Sequence, residues 1–335
     1  MIISASRRTD IPAFYSDWFM NRVRKGFFYR VNPFNSKQVS GFSLKPEDVD
    51  AICFWTKNPR PLMKHLDELD QRGLKYYFQF TLNPYDKTFE PHLPPLDERI
   101  ATFRELACRI CPERVIWRYD PVILSSVTPV SWHLEQAERI AEQLKDSTRR
   151  LVFSFYDVYG KVQARLKNTG ISIEEITAPE KSAELDELVC GFKAMADSYG
   201  VCILSCSEEI DLSAIGIEHG ACIDGKLVRK LFDGEPSANK DRNQRESCGC
   251  VESVDMGMYN TCRFRCIYCY ANFNERMIDS NYLKHYPDSP ALLGRYEGHI
   301  EIHSSLNKKK TRSVNRRRNS SFEKIQPSLP WSGQG

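Results

Sequence analysis

The sequence predicts an α/β chain, a (β/α) barrel or partial barrel of about seven parallel strands. Three observations point there. Short apolar, β-branched or aromatic runs alternate with helical patterns. Nearly every apolar run ends in polar residues of specific chemistry. The last run leads straight into a tight group of cysteines. Strand–helix alternation argues for a parallel sheet covered by helices. About seven such units fit an open or closed barrel better than a flat doubly wound sheet.

The strands are expected, in order, at residues 2–6, 51–56, 75–82, 114–120, 150–156 and 201–206, with a seventh near 252–258. Each is a short buried-type run bounded by turn residues. Helical spacing is expected at 12–25, 61–71, 97–108, 131–144 and 180–198. Pro59 and Pro61 suit a helix start, and Gly73 and Gly200 suit helix ends. A hairpin pairing 27–31 with 38–42 reads as an insertion.

A chain of 335 residues can bury one large core or two of ordinary size. Hydrophobic content of 41% and charged content of 27% belong to a globular protein. No run of about 18 apolar residues predicts a membrane span, and the first residues lack signal-peptide character. A cytoplasmic location, away from membranes, is the expectation. The net charge of +3 is concentrated: residues 308–318 carry seven positive charges and no negative one, so the remainder is mildly acidic. The chain therefore divides into a folded unit over 1–299, with a cysteine-rich region at 202–275, and a basic tail over 300–335 that is expected to be disordered. That tail is a candidate contact for nucleic acid.

Barrel chemistry gathers at the carboxyl ends of the strands. Those ends carry Arg7, Arg8, Thr9 and Asp10; then Thr56, Lys57 and Asn58; Gln79, Thr81 and Asn83; Arg118 and Asp120; Ser154 and Asp157; and Ser205, Cys206 and Glu208. Arg7, Arg8, Lys57 and Arg118 together favour an anionic ligand.

Twelve cysteines are many for a reducing compartment, and clustered thiols there point to metal or redox work. Cys262, Cys266 and Cys269 follow the last strand at Cys-x3-Cys-x2-Cys spacing, with Tyr268 before the third. Three thiolates can hold three irons of a [4Fe–4S] cube and leave the fourth iron open to a small molecule. A structural zinc site would instead close with a fourth ligand, from Cys248 or Cys250. Cys206, Cys222, Cys248 and Cys250 form a second set that could close around an auxiliary [4Fe–4S] cluster, with His219 as a further candidate ligand. Cys108 and Cys111 have redox-motif spacing but sit at a helix end and read as structural. Cys53, Cys190 and Cys202 lie in apolar patterns and read as core.

At Cys262, Cys266, Cys269 and Tyr268 the chain resembles the radical S-adenosylmethionine (SAM) superfamily. The continuation Tyr270-Ala271-Asn272 is similar to the spore photoproduct lyase branch, as are Ser6-Arg7-Arg8-Thr9-Asp10, Phe54-Trp55-Thr56-Lys57 and Arg118-Tyr119-Asp120-Pro121. That superfamily places its cysteine loop after the first strand. Here the loop follows the last, as circular permutation would produce. Over roughly 1–299 the chain also resembles an uncharacterised bacterial family built in this permuted way.

The resemblance implies a radical SAM enzyme. SAM would chelate the open iron, and reductive cleavage would give a 5′-deoxyadenosyl radical that abstracts hydrogen from an unknown substrate. It implies a SAM site at Tyr268, Arg7, Thr9, Asp10, Lys57, Arg118 and Asp120, with Tyr268 against the adenine. It also implies a reducing partner such as flavodoxin or ferredoxin. The alternative is a non-catalytic, zinc-stabilised nucleic-acid-binding protein that uses the basic tail.

Overall fold

The computed structural model describes the chain apart from residues 33–34, 158–161, 163–164, 167–168, 243, 297–299 and 304–335. The basic run at 308–318 lies outside the described residues. Strands are numbered in chain order: β1 (Ile2–Ala5), β2 (Phe27–Asn32), β3 (Asn35–Ser43), β4 (Ala51–Thr56), β5 (Tyr76–Thr81), β6 (Val115–Val122), β7 (Leu124–Ser125), β8 (Arg150–Phe155), β9 (Ile173–Glu174), β10 (Cys202–Ser205), β11 (Glu218–His219), β12 (Ser253–Asp255) and β13 (Ile302–His303).

Eight of these form one sheet in the order β11-β10-β8-β6-β5-β4-β1-β12, and every pairing in it is parallel. Period-two alternation explains why both faces are apolar. Ile3, Ile52, Phe54, Phe78, Trp117 and Phe153 point to one face and pack into the main core. Ile2, Ala51, Cys53, Tyr77, Ile116 and Val152 point to the other and pack into a second core with the 222–228 segment.

The α/β class and the parallel sheet are as expected; closure into a barrel is not. The edge strands β11 and β12 do not pair with each other among the described residues. They are short, and the chain between them occupies the space. Val251 N donates to Ile223 O at 3.1 Å, and Asp241 N donates to Cys250 O at 2.9 Å. The sheet also has one strand more than expected, because the two-residue β11 leaves no periodic signal.

The helices follow the expected segments with local changes. The 12–25 segment is two helices, Ile11–Phe14 and Ser16–Lys25, and the 61–71 segment is likewise two, Arg60–Met63 and Leu66–Gln71. Leu96–Ile110, Val130–Gln143 and Ser182–Ser198 match expectation within two residues. Two short helices, Gly225–Phe232 and Glu275–Leu283, were not anticipated. The insertion is the expected hairpin, with β2 antiparallel to β3. β13 pairs with β3, so the first residues of the presumed tail belong to the fold. Cys190 and Cys202 are exposed, which corrects their reading as core. Cys190 falls off the buried stripe of its helix (Leu185, Leu188, Val189, Phe192, Met195, Ala196), and Cys202 opens β10. Among the described residues no helix is long and apolar enough to cross a membrane.

Candidate functional site

β12 pairs with β1 in register Ile2↔Ser253, Ile3↔Val254 and Ser4↔Asp255. Asp255 then ties the two strand ends together. Its carboxylate accepts from Ser4 Oγ (3.0 Å), Ser6 Oγ (2.6 Å), Arg7 N (3.1 Å) and Gly257 N (2.8 Å). Gly257 permits the contact, since a Cβ there would lie 2.0 Å from Ser6 Oγ and 2.8 Å from Thr9 Oγ1. The turn after β1 and the loop after β12 are thereby held side by side.

The cysteine loop is built on local hydrogen bonds. Thr9 Oγ1 lies 2.6 Å from Thr261 Oγ1, and Tyr15 OH donates to Thr261 O at 2.8 Å. Asn260 Oδ1 accepts from Phe273 N and Asn274 N, pinning the loop's exit to its entry. Ile267 N donates to Phe89 O at 3.0 Å, and Arg165 Nη2 donates to Cys269 O at 2.6 Å. Cys262, Cys266 and Cys269 all face one cavity of about 380 Å³ at the carboxyl ends of the strands. Burial pushes the Cys266 thiol up to about 12, with Lys57 pulling the other way.

The second set lines the same cavity. Cys206 Sγ lies 2.8 Å from Cys222 Sγ, Cys222 also contacts Cys250, and Cys250 contacts Cys248. Tyr77 OH (3.0 Å) and Gln79 Nε2 (2.8 Å) donate to the Cys222 carbonyl, fastening this loop to the inner face of the sheet. All seven cysteines of the 206–269 region thus meet in one chamber. Among the described residues no three His, Cys, Asp or Glu side chains surround a point that could hold a single metal ion. His219 bonds Ser205 and stands exposed, outside the thiol group.

Arg7, Arg8, Thr9, Asp10, Thr56, Lys57, Thr81, Arg118, Asp120, Ser154, Asp157, Glu208 and Tyr268 line this cavity as expected, whereas Asn58, Gln79, Asn83 and Ser205 do not. Arg118 is buried between the two halves: it donates to Asp120 Oδ2 through Nε (3.0 Å) and Nη2, and to Cys222 Sγ through Nη1 (2.9 Å). Burial works against the Asp120 carboxylate, but Arg118 and Ser154 outweigh it and hold its pKa below the ordinary value. Lys57 Nζ donates to Glu90 Oε1 (2.7 Å) and Tyr268 OH (2.8 Å). Tyr268 OH donates to Glu90 and accepts from Asn83 Nδ2 at 3.2 Å, so the ring is pinned against the cavity wall. Asp10 caps the helix Ile11–Phe14 and accepts from Thr56 Oγ1 (2.8 Å) and Lys57 N (2.7 Å). Burial raises its pKa to about 7, against those hydrogen bonds. Thr9 and Asp10 therefore spend their polar atoms on the scaffold of the site.

Three residues of the site carry no role in the sequence reading: Trp55 on the cavity wall, and Glu90 and Asp255 behind it. Trp55 lies between the Arg118 guanidinium (5.1 Å from its ring) and that of Arg7 (5.9 Å). Trp55 Nε1 and Arg7 Nε are buried without a hydrogen-bond partner. Glu90 and Asp255 organise the two sides of the site; Glu90 sits in no periodic run, and Asp255 falls inside the expected seventh strand. Only the position of Asp255 at the end of the seventh strand could have flagged it.

The model of a family described as a domain of unknown function, DUF1848, matches residues 2–271. No curated protein matches the chain. Among solved structures the chain is similar to a protein from Bacteroides thetaiotaomicron assigned as an alpha-L-fucosidase. That likeness is at 14% identity over 71% of this chain and 84% of that one, with a TM-score of 0.25, and carries no argument. The family match takes in every strand of the large sheet and both cysteine sets, and the chain belongs to the DUF1848 family.

Proposed function

We propose that this protein is a radical SAM enzyme with a circularly permuted α/β core. Cys262, Cys266 and Cys269 would hold the SAM-binding [4Fe–4S] cluster. Cys206, Cys222, Cys248 and Cys250 would hold an auxiliary one. The observation that supports this most is the convergence of both cysteine sets on one chamber at the carboxyl ends of the strands. Permutation is supported by β12, which enters the sheet beside β1 and delivers the cysteine loop next to Arg7–Asp10.

The donor sets fit such groups. The loop offers three thiols and a fourth direction open to the cavity, whereas the second set offers four. A multi-iron cluster meets each thiol at a different iron, so the lack of a one-ion arrangement does not bear on it. The buried, unpaired donors Trp55 Nε1 and Arg7 Nε fit a ligand rich in acceptors.

When bound, the cluster and SAM supply one-electron cleavage of a sulfonium bond and a carbon radical that takes hydrogen from a substrate. The chain supplies everything else. Tyr268, fixed by Glu90, Lys57 and Asn83, gives a rigid apolar wall for a flat ring. Arg118 and Arg7 present positive charge toward the four-thiol side and offset the charge that ligating thiolates would bring there. Phe264, Tyr156, Trp55 and Tyr268 line the chamber and limit water around a reactive species.

The test is anaerobic reconstitution with iron and sulfide, followed by addition of SAM and dithionite. The expected result is about eight irons per chain and release of 5′-deoxyadenosine and methionine. A protein that binds only zinc and leaves SAM intact would sink the reading.

A further inference from the structure

Six large hydrophobic side chains are exposed among the described residues, and five of them fall within residues 270–283, directly after the third loop cysteine: Tyr270, Phe273, Met277, Tyr282 and Leu283. Leu283 is 79% exposed. Such a concentration marks an interaction surface, whereas single exposed apolar residues mark nothing. The face belongs to the cysteine loop and to the helix Glu275–Leu283 that follows it.

Its charge is positive. Arg8 lies over the Tyr259 ring (5.1 Å) and Arg263 over the Tyr282 ring (4.1 Å), while Arg276 stands exposed on the helix. None of the three has a carboxylate within ion-pair distance among the described residues. The two acids on the helix, Glu275 and Asp279, share Arg265 and keep one net negative charge between them, which the three arginines outweigh. The mildly acidic remainder of the chain makes this patch an exception, and the basic 308–318 run has the same sign as the patch and would be repelled by it.

We infer that this face is the docking surface for an acidic one-electron-donor protein, an inference that rests on the proposed radical SAM function. The apolar side chains would form the centre of the contact and the arginines would steer an acidic rim onto it. The position matches the task. Tyr270 is bonded to Cys269 in sequence, lines the cavity and reaches the exposed face, so the thiols lie directly behind the patch. In the transfer one electron leaves the donor, which is oxidised by one unit, and enters the loop centre, which is reduced by one. No bond forms or breaks and no proton moves.

The test compares Arg276→Glu and Leu283→Glu with wild type, since neither residue lines the cavity. Reconstituted protein is reduced either by dithionite or by flavodoxin hydroquinone, and bleaching of the iron–sulfur absorbance is followed. Dithionite rates should be equal in all three proteins. The flavodoxin rate should be lowered by raised salt in wild type and should fall about tenfold in Arg276→Glu. Equal flavodoxin rates in all three proteins would overturn the inference. So would a face that instead binds a single-stranded oligonucleotide, or a concentration-dependent dimer lost in Leu283→Glu, with flavodoxin reduction unchanged. Failure of the function itself is read separately, as normal reduction by dithionite with no 5′-deoxyadenosine formed.

Discussion

The carboxylate of Glu90 is 1% exposed and meets Lys57 Nζ at 2.7 Å and Arg99 Nη1 at 3.6 Å, with Tyr268 OH as a third partner. Removing one member of a buried charge group leaves the others uncompensated, which costs more than the group contributes as a whole. Glu90→Ala should therefore lower stability by about 3–5 kcal/mol in urea unfolding with an unchanged slope. A loss below about 1 kcal/mol would mean that Lys57 and Arg99 find water. His133 is fully buried on the helix side: Nε2 faces the Ile123 carbonyl (2.9 Å) and so donates to it, and Nδ1 of the neutral ring is placed to accept from Tyr119 OH (2.8 Å). Burial lowers its pKa from 6.5 to about 4, with the Ile123 carbonyl opposing. Between those values the unfolded chain binds the proton and the folded chain does not. Stability is thus full above pH 6.5 and falls as pH drops toward 4, by roughly 3 kcal/mol across the window. His133→Gln should flatten that part of the pH–stability profile relative to wild type, and parallel profiles would refute the assignment.

Between elements, the β1–β12 seam controls the site. It is short, with three paired residues, and is reinforced by one carboxylate and one glycine. Gly257→Ala places a methyl group 2.0 Å from Ser6 Oγ and 2.7 Å from Ser6 Cβ, so the seam must open. The expected cost is about 2–4 kcal/mol, with the cysteine loop taking up less iron than the four-thiol set. Asp255→Asn should show the same selective loss at smaller size, because an amide nitrogen now faces donors. Iron content and spin quantitation before and after reconstitution would show it; equal loss from both sets would mean general unfolding. This seam was legible in the sequence as a seventh strand running into Cys262, because alternating Ser253, Val254 and Asp255 break the surrounding loop pattern. The helices Gly225–Phe232 and Glu275–Leu283 were not legible: they are short, and the second is mostly exposed. Glu90 was hidden for a related reason. It lies in the Pro-rich stretch between β5 and Leu96–Ile110, where no period exists and tertiary contacts alone decide which acid is buried.

For the whole molecule the decisive fact is sheet order. Cys206 directly follows β10 near one edge, and Cys262 follows β12 at the other. Sequence spacing can group Cys262, Cys266 and Cys269, and can suspect Cys206, Cys222, Cys248 and Cys250. It cannot place the two sets in one chamber, because that depends on residues 222–232 and 248–251 crossing one face of the sheet. The same crossing explains why no closed barrel forms: the gap holds thiols and the Gly225–Phe232 helix in place of a ninth strand. The two sets are anchored independently, one through the Cys222 carbonyl on Tyr77 and Gln79, the other through Thr9, Tyr15 and Asn260. Each should therefore be removable without the other. On the proposed function, a Cys248→Ala, Cys250→Ala double variant should bind about four irons in place of about eight and still release 5′-deoxyadenosine with dithionite. Cys266→Ala should keep the iron of the four-thiol set and release none. Both variants should unfold within about 2 kcal/mol of the metal-free wild type, since each deletes only thiol sulfurs at a cavity wall. If Cys266→Ala also stripped the second set, the chamber would be one coupled centre and not two, and the division of the seven cysteines would have to be redrawn.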